Sequence, residues 1–312
     1  VAHIDPAVRP QDDLFGHVNG RWVADTEIPA DRGRYGSFDI LREEAEVQLR
    51  DIIEATAVGQ SSSTSAAGSD STTSAAKVVA LYRSFMDEAA VETAGLAGLQ
   101  DLLDAIAALQ DTTELPALLG RLAHQGVDGA FQAIVNTDDR QSDRYIVYLN
   151  QGGLGLPDES YYHEERHAET RTAYLAHVEA MLRLAGHADP TAATARMMAL
   201  ETRLAAGHLD KVADRDPVAT YTLLTSSALA ELTPHFDWPA YAVSAHAGVA
   251  ALAEVVVRQP GYLTTLDTAL TEVPVEDWRD WLTWQTVHDF APYLSAAFVE
   301  ANFDFYGRTL AG

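Results

Sequence analysis

The sequence contains no cysteine in its 312 residues. This absence excludes disulfide bonds, cysteine-ligated zinc, iron–sulfur clusters and thiol catalysis. It leaves the compartment open, because a chain without cysteine folds equally well in reducing and oxidising surroundings. The localisation is therefore unknown from the sequence, with the cytoplasm and secretion both open.

Basic residues are scarce. The 21 lysines and arginines face 46 aspartates and glutamates, which gives a formal net charge of −25 at pH 7. An acidic field repels the phosphate backbone of nucleic acids and the anionic surface of membranes. The composition therefore excludes nucleic acid as a partner and disfavours a membrane surface.

Long hydrophobic runs are also absent. No stretch of the sequence approaches the roughly 18 consecutive apolar residues of a membrane-spanning helix. The first residues, Val1–Pro6, have neither the basic region nor the apolar segment of a signal peptide. We therefore expect a soluble protein with no membrane partner.

Hydrophobic residues nevertheless make up 47% of the chain, an ordinary share for a globular protein. Their spacing is mostly helical. A short helix is predicted near Leu14, interrupted at Asn19-Gly20, and a longer amphipathic helix of about four turns follows it. The apolar stripe of this second helix consists of Phe38, Leu41, Ala45, Leu49 and Ile52.

Further helical stripes follow from residue 77 onward. Two β-like runs, 131–135 and 145–149, flank a polar turn at 137–143 and predict a small hairpin. Near the end of the chain, tryptophans 278, 281 and 284 recur at helical spacing, which is typical of a buried core. The sequence therefore predicts a mainly α, multi-helix fold with one small β-hairpin.

Residues 59–76 read GQSSSTSAAGSDSTTSAA and contain no aliphatic side chain larger than alanine. Such a segment buries too little apolar surface to offset its ordering entropy. It is predicted to be a linker between two parts of the chain, and a plain loop insertion within one domain is an equally open interpretation.

One short motif matches a metal site. Residues 163–167 read HEERH, and on a continuous helix the two histidines would share a face, where they bind zinc beside a general-base glutamate. The positions between the ligands, Glu165 and Arg166, are charged, and the motif lies at the start of a predicted helix. We therefore favour a solvated first helical turn over a zinc site.

Other signatures fail on their spacing. The sequence has no G-x-S-x-G, no P-loop and no N-glycosylation sequon, and its glycine-rich run at 152–157 lacks the spacing of a dinucleotide loop. Asp138, Asp139 and Asp143 crowd the predicted hairpin turn without the spacing of an EF-hand. They are predicted to be solvated turn residues.

Three passages together resemble a known family. They read DDLFGHVNGRW at 12–22, followed by Ile28-Pro29, then RYGSFDILR at 34–42 and LGLPDESYY at 154–162. In this order they resemble the N-terminal half of the neprilysin-like zinc metallopeptidases, which include the endothelin-converting enzymes and bacterial oligopeptidases. The lack of cysteine differs from the animal members and favours a soluble bacterial relative.

The resemblance implies two helical lobes around a closed cavity in which peptides are hydrolysed. Residues 1–58 would form the N-terminal segment of the catalytic lobe, 59–76 a linker or loop, and 77–312 the covering lobe. The family's zinc ligands and its substrate-binding strand lie beyond the point where this sequence stops. By resemblance, the full-length enzyme binds zinc, whereas this chain supplies no catalytic or metal-binding residue and is inactive alone. Its partners would be peptide substrates and the C-terminal catalytic half of the same protein.

The resemblance also implies two substrate-binding residues. Arg34 matches a family arginine that meets the C-terminal carboxylate of a bound peptide, and Asp39 matches an acid near the same subsite that could hold Arg34 in place. A guanidinium suits this role because its planar fork makes two parallel charge-assisted hydrogen bonds to a carboxylate. The alternative for this pair is a surface salt bridge without function.

Two other hypotheses stay open at this point. One is a free-standing helical binding or scaffold module without catalytic activity, and the other is a peptidase that uses His163, Glu164 and His167. Continuation of the natural reading frame beyond Gly312 into a second HExxH motif would favour the metallopeptidase portion, and an end there would favour the binding module.

Overall fold

The computed structural model describes residues 3–29, 32, 34–62 and 74–311. The chain forms two compact units, one of Val1–Met86 with Tyr306–Gly312 and one of Asp87–Phe305. The fold is mainly α, as predicted, with one small sheet. Within the described ranges, no helix is both long and apolar enough to cross a membrane.

The first unit contains helices α1 (Leu14–Asp25), α2 (Ser37–Ser62) and α3 (Ser74–Met86). Asp13 caps α1 by accepting a hydrogen bond from the Gly16 N–H at 2.8 Å. The predicted interruption at Asn19-Gly20 is wrong, because α1 continues through both residues. The intrinsic helix propensity of single residues is a small effect, so Asn19 and Gly20 stay helical between the neighbouring turns of α1.

This unit has almost no core of its own. Among its described side chains from residue 3 to 86, Val79 alone is buried. Large apolar side chains stand exposed on each helix, including Phe15 at 69%, Phe38 at 89% and Leu81 at 71% of their surface. Helices α2 and α3 contact each other through polar bonds, among them the Tyr82 hydroxyl to Glu54 at 3.0 Å.

The Ser-rich segment 59–76 is only partly described. Helix α2 extends to Ser62 and α3 begins at Ser74, while residues 63–73 lie outside the described residues. The linker assignment stays a prediction.

The second unit carries the remaining helices. Their bounds are α4 Glu88–Ala94, α5 Gln100–Ala107, α6 Leu115–His124, α7 Ser160–His163, α8 Ala168–Leu184, α9 Pro190–Ala205, α10 Ser226–Leu232, α11 Trp238–Ser244, α12 Pro260–Glu272, α13 Val275–Phe290 and α14 Ala296–Asn302. A π-helix, Phe303–Leu310, follows α14, and its residues from Tyr306 onward belong to the first unit. Trp278, Trp281 and Trp284 on α13 are fully buried, which confirms the predicted aromatic core.

The predicted hairpin is confirmed and belongs to a larger sheet. Strands β1 (Phe131–Asp138) and β2 (Gln141–Gln151) pair antiparallel, and β3 (Thr222–Thr225) and β4 (Glu254–Val257) complete the order β1-β2-β4-β3. Strand β4 pairs parallel with β2 and antiparallel with β3. The sheet thus joins segments about a hundred residues apart in sequence.

The turn of this hairpin corrects one prediction. Asp138 is fully buried rather than solvated, and it accepts hydrogen bonds from Arg144 at 2.8 Å and from the Tyr221 hydroxyl at 2.7 Å. Burial alone would raise the pKa of Asp138, but these bonds and one from the Arg140 N–H lower it to about 2. Asp138 therefore fastens the hairpin to the start of β3.

Candidate functional site

The segment that leads into α2 and the first turn of that helix contain the two predicted substrate-binding residues, Arg34 and Asp39. Arg32 forms an ion pair with Glu43 at 2.8 Å, and the Tyr35 hydroxyl donates to the same carboxylate at 2.8 Å. Arg34 lies between these anchors, is exposed, and makes no hydrogen bond or ion pair to any residue that the structure describes. Its guanidinium therefore has its donors available for an external anion.

Asp39 lies in the first turn of α2, where the positive end of the helix dipole stabilises a carboxylate. In the described part of the chain no ion pair joins Asp39 to Arg34. The structure thus places both residues on one short segment without pairing them. Their roles in substrate binding stay predictions.

The HEERH motif does not form a continuous helix. Helix α7 ends at His163, Glu164 is extended with ψ 137°, and Glu165–His167 form a separate 3₁₀ turn. The ring of His167 stacks on Tyr161 at 3.8 Å between centroids. Because the extended residue separates the two histidines, they do not share a helix face.

The residues of the HEERH motif therefore do not fit zinc. The helical spacing that makes HExxH a zinc site is broken at Glu164. Across the described ranges, no cluster of three or more histidine, aspartate or glutamate side chains could hold a metal ion.

The second unit contains a polar cavity of about 450 Å³, which we name cavity A. Its lining comes from residues in segments 128–132, 150–159, 208–214, 258–259 and 285–289. The family passage at 154–162 thus contributes to the wall of a cavity.

Some of the charges in cavity A are paired. Lys211 lies 3.6 Å from Asp158, and Arg258 lies 3.8 Å from Asp214. Burial lowers the pKa of the lining residues His208 and His288 to about 4, so both imidazoles are neutral at pH 7. The basic groups of the wall are therefore already balanced or uncharged.

Three acidic residues of cavity A have no basic partner among the described residues: Asp128, Glu159 and Asp289. Asp289 accepts a hydrogen bond from the Asp128 N–H at 2.7 Å. Burial raises the pKa of Asp289 to about 7, and the Asp128 carboxylate adds to this rise. The cavity is therefore rich in acceptors and complementary to a positively charged group.

A buried network holds the wall of cavity A. Glu201 on α9 is fully buried and accepts hydrogen bonds from the hydroxyls of Tyr162 at 2.7 Å and Tyr174 at 2.9 Å. Gln285 on α13 donates to the same carboxylate at 3.2 Å. Tyr162 in turn accepts from the Leu156 N–H at 3.1 Å. One carboxylate thus connects α9, α8, α13 and the 154–162 passage.

The 154–162 passage requires glycine at position 155 for a steric reason. A Cβ atom on Gly155 would collide with the Tyr174 hydroxyl, which is itself held by Glu201 and by the Trp284 indole N–H at 3.1 Å. Burial raises the pKa of Glu201 to about 7, although its hydrogen bonds act in the opposite direction. The passage that carries the resemblance is therefore a structural element of the cavity wall.

Sequence reasoning missed Glu201. A signal was present, because Met197, Glu201 and Ala205 recur at four-residue steps on the buried face of α9. An acid on an apolar helical stripe is buried only where hydrogen-bond partners surround it. The hydrogen-bond partners of Glu201 come from distant parts of the chain, so they are identified only in the structure.

Comparison with known proteins identifies the family of the chain. The model of peptidase family M13 matches residues 10–312. Human neprilysin is 26% identical in an alignment of 347 positions, which covers 99% of this chain and 44% of neprilysin. Rat endothelin-converting enzyme-like 1 is 26% identical over 316 residues, which cover 96% of this chain and 40% of that protein.

Solved structures show the same relationship. The inhibitor complex of Mycobacterium tuberculosis zinc metalloprotease ZMP1 matches with a TM-score of 0.89 and 44% identity, over 99% of this chain and 46% of that one. PepO from Lactobacillus rhamnosis matches in fold, with a TM-score of 0.73 and 22% identity over 98% of this chain and 47% of PepO. The chain thus spans less than half the length of these relatives, and it belongs to peptidase family M13.

Proposed function

We propose that this chain is the N-terminal portion of a zinc metalloendopeptidase that hydrolyses peptides in a closed cavity. The observation that carries the proposal is the family match over residues 10–312, combined with coverage of less than half of each relative. Zinc and the hydrolytic groups would come from a C-terminal half, since HEERH does not have the helical geometry of a zinc site.

The exposed apolar faces of α1–α3 support the proposal that these helices pack against a further part of the protein. Exposed aliphatic and aromatic surface of this extent marks an interaction site. Phe38, Leu41 and Ile52, which belong to the predicted stripe of α2, are exposed by 89%, 58% and 62%. In the proposal, residues 1–58 pack into the catalytic lobe, 59–76 link the two parts, and 77–312 form the covering lobe.

This chain contributes binding rather than catalysis in the proposal. Arg34 would hold the C-terminal carboxylate of a peptide, because its guanidinium is exposed and unpaired among the described residues. Asp39 would lie beside the same subsite and orient the arginine once substrate is bound. In a protein of net charge −25, this cation also offsets a field that repels the acidic end of a peptide.

The test uses the complete natural reading frame that contains this chain. Arg34→Gln is compared with wild type on one peptide, prepared as the free acid and as the C-terminal amide. We expect kcat/KM to fall roughly tenfold or more for the free acid only, as follows from losing about 1.5–3 kcal/mol of charged hydrogen bonding. Arg42→Gln, which removes an exposed charge on α2, is the matched control.

Equal losses on both peptides would reduce Arg34 to a structural role. The broader proposal has its own test, since the complete protein should cleave peptides, lose activity on chelation and regain it with zinc, while the 312-residue chain cleaves nothing. Activity absent from the complete protein would favour the helical binding module instead.

A further inference from the structure

Strand β1 has an open edge. It lies at the end of the sheet order β1-β2-β4-β3, so only one side of its backbone pairs with a neighbour within the described residues. Its middle residues are exposed, among them Ile134 at 46% and Val135 at 71%. An edge strand normally carries lysine, proline or a bulge that blocks pairing. Residues 131–137 contain no charge and no proline, and the register irregularity of β1 lies at its far end, between Thr137 and Asp138. This edge is therefore competent to accept another strand.

A second cavity lies along that edge. This cavity, which we name cavity B, has a volume of about 280 Å³ and includes four consecutive residues of β1, Phe131 to Ile134, in its wall. Leu119 and Ala123 of α6 and Tyr241 of α11 form the opposite wall, whereas no described residue of β2 contributes. Because consecutive strand residues point to opposite faces, a cavity that touches all four lies at the strand edge.

Cavities A and B adjoin at the start of β1. Both are lined by Asp128, Gly129 and Gln132. At the cavity A end, the Oδ1 atom of Asn150 is buried without a hydrogen-bond partner. This oxygen and the unpaired carboxylates of Asp128 and Glu159 are acceptors, so the matching ligand carries N–H donors and positive charge.

We propose that the free edge of β1 binds an extended peptide by strand addition, with an apolar side chain in cavity B and a basic group at cavity A. The inference rests on the proposed function only in taking a peptidase substrate as the source of the peptide. Main-chain hydrogen bonds to the edge provide affinity, and the two cavities provide side-chain selection. This binding site consists of the chain's own residues.

The binding test uses the 312-residue chain and fluorescein-labelled heptapeptides of alternating threonine and valine. Each peptide carries one arginine at its amino or carboxyl end, and a matched peptide carries citrulline there. Fluorescence anisotropy should show tighter binding of one arginine peptide than of its citrulline counterpart. Single N-methyl groups are then placed at successive peptide bonds. We expect losses of about fivefold or more at every second position, because alternate N–H groups face the edge.

Two protein variants locate the site. Ala123→Phe fills cavity B and should weaken binding about tenfold, whereas Ala89→Phe on the exposed face of α4 should not. Asp128→Asn should weaken the arginine peptide about threefold and leave the citrulline peptide unchanged. Asp139→Asn, which removes an exposed carboxylate at the far end of the hairpin, is its control.

The peptide scan needs no protein variant, so a misfolded mutant cannot decide the outcome. Uniform effects of N-methylation, or none, would overturn strand addition. Equal binding of arginine and citrulline peptides would overturn the role of cavity A, and concentration-dependent self-association through β1 would identify a second copy of the chain as the occupant. Failure of peptide hydrolysis by the complete protein bears on the proposed function alone, because the binding test requires no catalysis.

Discussion

The carboxyl of Glu201 should give this protein a pH-dependent stability that one substitution removes. Burial raises the pKa of Glu201 from its ordinary value near 4.5 to about 7 in the folded state. Between these values the folded state holds the proton and the unfolded state has released it. The unfolded state then binds fewer protons, so the free energy of unfolding falls as the pH rises.

The magnitude follows from the same two pKa values. At about 1.4 kcal/mol for each pH unit, the rise from 4.5 to about 7 corresponds to about 3 kcal/mol. This contribution is fully present below pH 4.5 or so and is lost as the pH passes through 7. The variant Glu201→Gln keeps the shape of the side chain but cannot ionise, so its stability lacks this contribution to the pH dependence.

Three histidines, of which His177 is buried and His208 and His288 are half-buried, change the stability in the opposite direction, and their effect must be cancelled. Burial lowers the pKa values of His177, His208 and His288 to about 4, so stability rises with pH between about 4 and 6.5. Because both proteins contain these histidines, the difference between wild type and Glu201→Gln isolates the glutamate. That difference should shift by about 3 kcal/mol in favour of the variant between pH 4.5 and 8.

The assay is urea unfolding at several pH values, followed by tryptophan fluorescence. Four of the five tryptophans, at 238, 278, 281 and 284, lie in the second unit with Glu201, so the signal reports that unit. Glu231→Gln, at an exposed position on α10, is the control and should follow the wild-type profile. A difference between wild type and Glu201→Gln that stays constant with pH would refute the reasoning, since it would mean that the buried carboxyl keeps one protonation state throughout.

Three further predictions concern packing and metal. Gly155→Ala should lower the free energy of unfolding of the second unit by about 2–3 kcal/mol, because the new methyl collides with Tyr174, whereas Gly261→Ala on α12 meets open space and should be neutral or slightly stabilising in the same urea assay. The 312-residue chain, dialysed against trace zinc, should contain no stoichiometric metal by elemental analysis, and one zinc per chain that disappears in His163→Ala would contradict the broken geometry of HEERH. Hydrogen exchange should be about a hundredfold faster on α1–α3 than on α13, because the described part of the first unit has a single buried side chain. Equal protection would show that these helices are already fully packed.

The elements that the sequence predicted correctly are those that depend on the local spacing of apolar residues. The tryptophan spacing of α13 and the two β-like runs of the hairpin depend on residues close in sequence, and both predictions are confirmed. Strands β3 and β4 were missed because each has four residues and forms through distant pairing. Val255 of β4, for example, pairs with Val147 of β2. No sequence window contains such a contact.

The candidate site was likewise predicted only in part. The resemblance located Arg34 and Asp39 on the segment before and within α2, and the structure shows that they are not paired in the described chain. The cavity and the Glu201 network were not predicted, because they assemble from five segments of the chain. The Asp138 prediction failed for a related reason, since its partners Arg144 and Tyr221 come from β2 and the start of β3.

The contrast between the two units bears on how the proposed enzyme is built. Most helical stability in proteins comes from packing of an amphipathic face. Among the residues that the structure describes, Val79 is the one buried side chain of α1–α3. The second unit, with its three buried tryptophans, already has what a separate domain needs. If residues 1–58 pack into a catalytic lobe as proposed, that lobe draws its core from both ends of the complete chain. A C-terminal half expressed without residues 1–58 would then expose the matching apolar surface, and adding this segment back should restore its solubility and its zinc-dependent activity together.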